Sequence, residues 1–348
     1  MAEVVFAIPG DVDTPTGGYR YDRRVIDELR ALRWDVKPLR LPGDFPTPSE
    51  ASLNETEHLF ATTPADALLM VDGLAFGALP ASLLDRVPRR YVALVHHPLG
   101  LETGIAHERA EFLLKTERAA LARARHVIVT SKPTASLLFR DFDVAKEKIT
   151  VAEPGTETAP RAKGSDGAPR LLSVGAVNAR KGYDTLLAAL AKIADLPWES
   201  RIAGTLDRDL PAVAAVKAAI KSSKLDARIK LLGTLDDAAL NAEYDQATLF
   251  VLPSHFEGFG MAFTEAMARG LPVVAGDAGA APTTVPPDAG VLVPPGDAQA
   301  LAAVLHRLLT DPAELKRRSD AVWRHAQHFP RWRDTAKKIS GALTKALR

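Results

Sequence analysis

Two doubly wound α/β units, each a parallel sheet covered by helices on both faces, are what this sequence predicts, and three observations carry the prediction. Apolar strand candidates alternate with amphipathic helix candidates from Val4 to Val293, the pattern that builds parallel sheets. One stretch rich in Pro, Gly, Thr and Ser, Glu153 to Pro169, interrupts that alternation and reads as a linker. A chain of 348 residues also exceeds one comfortable core at ~150 residues per domain. The expected division is 1–160 for a first unit, 161–330 for a second, and 331–348 for a C-terminal helix.

Composition narrows the classes. The chain has 44 basic and 43 acidic residues, so no whole-molecule field points to nucleic acid or an anionic membrane. It has no Cys, which removes disulfides, thiolate catalysis and Cys-ligated zinc. The opening MAEVVFAIPGDVD lacks the basic and apolar regions of a signal peptide, and no run approaches ~20 apolar residues. A soluble cytoplasmic protein is expected.

Along the first half, strand Val4 to Pro9 leads into the Gly-rich loop Gly10 to Gly18 and an amphipathic helix through Leu32. The loop is not G-x-G-x-x-G, and a dehydrogenase loses its main support. Asp11 and Asp13 imitate an Asp-x-Asp metal motif. The same spacing recurs at Asp141 and Asp143 and at Asp207 and Asp209, so all are read as turn acids. Strands Val36 to Leu41, Ala67 to Val71 and Tyr91 to Val95 follow, with helices near Ser49 to Ala61 and Pro80 to Asp85. His96-His97-Pro98 stands at a strand's carboxyl end, where ligands gather in such sheets. No third ligand is spaced near the His pair, so no metal is expected. Glu102 either lines the acceptor side or, the simpler reading, is a surface acid capping a helix from Gly104. Strand Arg125 to Thr130, a helix from Ser131 or Lys132, and strand Ile149 to Ala152 complete the unit.

The second half restarts with strand Leu171 to Val174, loop Gly175 to Gly182 and helix Tyr183 to Ala194. Arg180 and Lys181 stand at that helix's N-terminus, where each unopposed cation costs ~0.3–1 kcal/mol. They require an anion. Strands follow at Ser200 to Ala203, Ile229 to Leu232, Leu249 to Leu252, Pro272 to Ala275 and Gly290 to Val293. After Leu252 comes the loop Glu257-Gly258-Phe259-Gly260-Met261, then helix Ala262 to Arg269, stopped by Gly270. Its glycines allow a sharp turn and leave N–H groups uncovered at a helix N-terminus, an anion-binding arrangement. Glu257 and Glu265 bracket it. Beside a diphosphate, carboxylates are suited to accept hydrogen bonds from the hydroxyls of a nucleotide sugar.

The string SHFEGFGMAFTEAMARGLPVV, Ser254 to Val274, resembles the signature of the retaining nucleotide-sugar glycosyltransferases of family 4, also called group 1, in which two Glu separated by seven residues line the donor site. VGAVNARKGYDTLLAAL from Val174 resembles that family's second donor motif, and AGVLVPPGD from Ala289 its ending. The resemblance implies the GT-B fold, two Rossmann-like domains facing across a cleft, with the last helix crossing back to the N-terminal domain. It also implies transfer of a sugar from a UDP- or GDP-linked donor to a hydroxyl of a saccharide or glycolipid, with retention and without metal or cofactor.

The implied catalytic residues are His96, Glu257, Arg180 and Lys181. Arg180 and Lys181 hold the diphosphate, the Arg often found after the strand's Val-Gly being replaced here by Ala176. Glu257 orients the sugar. His96 contacts it, with His97 beside it as the alternative. The implied donor-binding residues are Gly17, Gly18, Gly258, Phe259, Gly260, Met261 and Glu265, the last on the ribose, while the chain after Gly233 receives the base. Thr283 and Thr284 stand where the family usually has an acid.

Acceptor recognition falls to the first unit, where Arg20, Arg23 and Arg24 suit a phosphorylated or lipid-linked acceptor or face water. Lys337, Lys338 and Lys345 read as a solvated face, with a peripheral membrane contact left open and no nucleic-acid partner expected. Two other classes share these features: a GT-B epimerase or phosphorylase acting on related sugar phosphates, and a non-catalytic nucleotide-sugar binder.

Overall fold

A computed structural model describes residues 3–348 and divides them into two compact units. The first takes the described chain up to Gly155 together with Pro330–Arg348, and the second is Thr156–Phe329.

The first unit's sheet has six strands: β1 Glu3–Pro9, β2 Asp35–Leu41, β3 Leu68–Asp72, β4 Arg90–Val95, β5 His126–Val129 and β6 Ile149–Val151. Their order is β2-β1-β3-β4-β5-β6, and every pairing is parallel. The chain steps outward from β1 to β2 and then returns past β1 to β3. The loops after β1 and β3 consequently diverge to opposite faces and leave a crevice at the carboxyl edge. All five residues of β3 are buried, as parallel strands covered on both faces must be. β2, at the edge, instead exposes Lys37 and Pro38, where a missing N–H costs no ladder hydrogen bond.

The second sheet also has six strands: β7 Arg170–Val174, β8 Glu199–Ala203, β9 Ile229–Gly233, β10 Leu249–Leu252, β11 Val273–Gly276 and β12 Gly290–Val293. The order β12-β11-β10-β7-β8-β9 is again wholly parallel, and its direction reverses between β7 and β10.

The last helix, Trp332–Leu347, buries Trp332, Thr335, Ala336, Ile339, Ala342, Leu343 and Ala346, an apolar stripe at helical spacing. It packs on the helix Gly17–Ala31 and on β5. The Trp332 ring meets Tyr21 edge-on at 5.6 Å, and Trp34 Nε1 donates to Ser340 Oγ at 2.9 Å. Gly155 lies so close beneath Trp332 that a Cβ would stand 2.2 Å from its backbone nitrogen. The chain's end is therefore part of the first unit's core.

Among the helices that the sequence reading did not name are two short ones, Gly73–Phe76 and Ala281–Thr284. At four residues each, they are too short to show a 3.6-residue period. The helix expected from Gly104 begins at His107. Among the described residues no helix is long and apolar enough to cross a membrane.

Ile339 is fully buried on the last helix, so Ile339→Ala should cost about 2–5 kcal/mol of stability, read as a lower urea midpoint for the first unit's transition. An unchanged midpoint would mean that this helix adds nothing to that core.

Candidate functional site

In the second unit the two loops at the sheet's reversal point run side by side. β7 gives way to a loop whose last turn, Ala179–Lys181, is 3-10 helical, and Gly182 then starts the helix Tyr183–Lys192. β10 gives way to Pro253–Gly260 and the helix Met261–Met267. His255 N donates to Arg180 O at 2.8 Å, joining the loops. Gly182 adopts φ +67°, and a Cβ there would lie 2.1 Å from Pro253 O, so only glycine permits this approach. Sequence segments 71 to 75 residues apart meet because β7 and β10 are neighbours.

At the junction Glu257 is buried with 7% exposure. Its Oε1 accepts from Lys181 Nζ at 2.6 Å and from Ser254 Oγ at 2.7 Å. Its Oε2 lies 3.6 Å from Arg180 Nη1, which donates to Phe256 O at 2.9 Å. Burial by itself would raise the carboxyl's pKa, but Lys181 and Arg180 beside it hold it below the ordinary carboxylate range. The anion required by the two cations at the helix start is thus supplied within the protein, by Glu257. A third loop braces it: Ala280 N donates to Glu257 O at 2.8 Å, and Thr284 Oγ1 donates to Phe259 O at 2.7 Å. Thr284, standing where an acid was expected, holds the glycine loop in place. Gly258, Phe259 and Met261 are half-buried beside it, and Gly260 caps the following helix at φ +89° with no side-chain hydrogen bond to its first N–H groups. Glu265 is on that short helix and accepts from Tyr244 Oη at 3.3 Å.

In the first unit Gly17 and Gly18 are not loop residues. They form the first turn of the helix Gly17–Ala31, whose N-cap Thr16 accepts from Tyr19 N at 3.1 Å. Read as the end of the loop, Gly17 and Gly18 instead open the helix, and Gly18 leaves room for His96, whose Cδ2 is 3.6 Å from where a Cβ would be.

His96 follows β4. Its Nε2 lies 3.2 Å from Asp22 Oδ1 and 3.3 Å from Asp72 Oδ2. Both carboxylates are buried, and Asp72 Oδ1 also accepts from Leu74 N at 2.9 Å. The ring of Tyr21 meets the imidazole edge-on at 5.2 Å. Burial opposes a charge on His96, but hydrogen bonds to Asp22 and Asp72 outweigh it and raise its pKa above the ordinary value. Burial and the charge of Asp72 raise the pKa of Asp22, against the pull of His96. The nitrogen and the two carboxylate oxygens lie within 4.8 Å of one another, the tightest approach to a metal-like triad among the described residues. Both carboxylates stand at hydrogen-bond distance from Nε2, so the expectation that no further ligand atom lies near the His pair does not hold.

His97 and Glu102 lie in the same loop, Glu102 exposed and accepting from Thr103 N at 3.1 Å. The Asp-x-Asp pairs have structural duties. Asp11 Oδ1 accepts from Asp13 N at 2.9 Å, and Asp209 Oδ1 caps the helix Leu210–Ser222 by accepting from Ala212 N at 3.0 Å. Arg24 lies over the Trp332 ring at 5.6 Å, while Arg23 donates to Val12 O.

Sequence reasoning missed Asp22, Asp72 and Ser254. Asp22 carried a signal: it lies on the stripe Val25, Ile26 and Leu29 that the helix buries, where an acid is out of place. Asp72 ends an apolar strand just before Gly73, which reads as a turn.

The two doubly wound sheets and their switch-point loops define a GT-B protein. Residues 156–322, nearly all of the second unit, match the family model described as glycosyl transferases group 1, and this unit belongs to that family. It is 29% identical over 276 residues to the MMP alpha-(1->4)-mannosyltransferase of Mycolicibacterium hassiacum, covering 74% of this chain and 65% of that protein. It is 30% identical over 258 residues to the D-inositol 3-phosphate glycosyltransferase of Thermobifida fusca, covering 67% and 58%. The chain thus spans roughly three fifths of these curated relatives. Among solved structures it resembles the sucrose-phosphate synthase of Thermosynechococcus elongatus, at a TM-score of 0.83 and 24% identity over 98% of both chains. The Anabaena protein HepE with UDP-glucose aligns at a TM-score of 0.78 and 19% identity over 98% of this chain and 99% of that one. At these identities the structural likeness concerns the fold.

Lys181 and Glu257 form an almost buried pair, at 13% and 8% side-chain exposure. Lys181→Met should destabilise the second unit by about 3–5 kcal/mol near neutral pH, by stripping a buried carboxylate of its nearest cation. The depressed pKa sets the sign: this stabilisation is present above the unfolded Glu pKa of ~4.3 and is lost as pH falls through the lower folded value. Urea unfolding of both proteins across pH 3–7 should therefore converge at the acid end. A gap independent of pH would remove the ion pair as its cause.

Proposed function

We propose that this protein moves a sugar from a UDP- or GDP-linked donor to a hydroxyl of a saccharide or glycolipid acceptor, retaining anomeric configuration and needing neither metal nor cofactor. The observation that carries the reading is the convergence of Lys181, Arg180 and Glu257 between the two switch-point loops of the second sheet. Lys181 spends one ammonium hydrogen on Glu257, and Arg180 spends one on Phe256 O. The positive charge of both side chains acts on a diphosphate brought to these loops. Glu257 Oε1 has two donors, which leaves Oε2 to accept from a sugar hydroxyl.

In the proposed reaction the bond from the anomeric carbon to the diphosphate oxygen breaks as the acceptor oxygen attacks from the same face, and the acceptor's proton passes to the leaving phosphate. Negative charge grows on the diphosphate and positive charge on the sugar ring. Cations fixed before the reaction stabilise the former without reorganising. Glu257 orients the ring, Glu265 takes the ribose, His96 touches the sugar, and the backbone at Gly258 to Met261 faces the phosphates. Relatives named for mannosyl transfer, one of them GDP-mannose-dependent, and for an inositol phosphate or a phosphatidylinositol mannoside support sugar transfer to a phosphorylated or lipid-linked acceptor. A peripheral membrane contact follows only if the acceptor is a lipid.

The test is a thermal-shift screen against UDP, GDP, ADP, CMP and their sugar conjugates, followed by NMR of the product's anomeric configuration. A donor at ~100 times its dissociation constant should add ~2.7 kcal/mol, and Glu265→Ala should diminish the shift. Glu257→Gln should keep donor binding and lose most turnover; near-normal turnover would remove its sugar-orienting role. Donor binding without turnover supports a non-catalytic binder instead, and altered sugar released without an acceptor supports an epimerase.

A further inference from the structure

We propose that Asp22 and Asp72 are positioning residues that hold His96 as a fixed imidazolium, its Nδ1–H offered as a donor to a hydroxyl of the bound sugar. The inference rests on the assignment of His96 to the sugar.

Three features of the first unit support it. Nε2 is engaged by two buried carboxylates, 3.2 and 3.3 Å away, so the hydrogen on that nitrogen points into the protein. The Cδ2 edge of the ring lies under Gly18, and Tyr21 packs edge-on against it at 5.2 Å. The side chain nevertheless keeps 25% exposure. What remains outward is the Nδ1–Cε1 edge. A hydrogen bond to one ring nitrogen dictates what the other offers. With Nε2 protonated, Nδ1 accepts in the neutral ring and donates in the imidazolium.

Charge decides between those states. With a neutral imidazole, two buried carboxylates would share one site with nothing to balance them, a costly arrangement. The groups facing His96 are Asp22 and Tyr21 from the helix Gly17–Ala31, Asp72 from the end of β3, and its own neighbour His97; Thr130 contributes a hydroxyl, donating to His96 O at 3.4 Å. The Tyr21 phenol stays neutral, donating to Ala152 O at 2.8 Å. The arrangement also suits the proposed chemistry. Because the two carboxylates outweigh the imidazolium's single charge, the cluster presents an N–H donor without net positive charge beside a ring that becomes cationic.

The test is NMR titration of the full-length protein with ¹⁵N-labelled histidine, using His96→Gln to assign the signal, in the wild type, Asp22→Asn and Asp72→Asn. Long-range ¹H–¹⁵N correlations report protonation and tautomer without any substrate. His96 should remain doubly protonated well above the ordinary ~6.5, and each variant should lower its midpoint by ~1–3 units. A wild-type His96 that loses its proton near 6.5 overturns the proposal even if neither variant folds. With the nucleotide sugar selected by the thermal-shift screen, the alkaline limb of kcat/KM should move down in each variant by the same amount as the NMR midpoint. A limb that stays in place while the midpoint moves overturns the positioning role. A wild-type protein that turns over no donor, with His96 still protonated, overturns the transferase reading and with it the sugar contact, leaving the imidazolium in place; the NMR and kinetic arms thus fail separately.

Discussion

Parallel pairing is the constraint on which both units depend. A strand that runs beside its neighbour in the same direction needs a crossover, and the helices of those crossovers cover both faces of the sheet. Every strand then delivers its following loop to one edge, and wherever strand order reverses two loops part and leave a crevice. In the first sheet that point lies between β1 and β3, beside Asp72; in the second it lies between β7 and β10, beside Lys181 and Glu257. Both candidate clusters are consequences of strand order.

The clusters share a device. Each sets a cationic group against buried carboxylate: Lys181 and Arg180 against Glu257, His96 against Asp22 and Asp72. A lone buried charge would be expelled or neutralised, whereas a hydrogen-bonded partner keeps it ionised and fixes its direction. The cost is borne by neighbouring backbone: glycine alone fits at Gly182, three loops converge on Glu257, and Leu74 N braces Asp72. Long side chains that would otherwise roam a crevice become groups with one orientation. Pre-positioned charge of that kind is what stabilises developing charge in a reaction.

Much of this was legible in the chain. Leu249 to Leu252 announced a strand by its apolar run, Gly270 announced a helix end, and Arg180 and Lys181 at a helix start demanded an anion. The identity of that anion was not legible. A bound phosphate and an internal carboxylate meet the same electrostatic need, and Glu257 lies 76 residues from Lys181 in the chain. Gly17 and Gly18 were misplaced because adjacent glycines disfavour helix, and here the cap at Thr16 and packing over His96 outweigh that preference. Thr284 shows the same limit: its residue type says only that it offers a hydroxyl, and the fold decides that Phe259 O receives it.

By itself, then, the sequence determined which segments are strands, that these alternate with helices in two α/β units, and which loops carry charge and glycine suited to a nucleotide sugar. Those properties are local, since apolar period, capping residues and turn chemistry act over a few residues. Only the tertiary structure decided which strands are neighbours, that Glu257 meets Lys181 and Arg180, and that Asp22 and Asp72 converge on His96. Those contacts join residues 74 to 77 positions apart, or 24 for Asp72 and His96. Their cause is strand order, which emerges from the packing of the whole sheet and is written in no single stretch of chain.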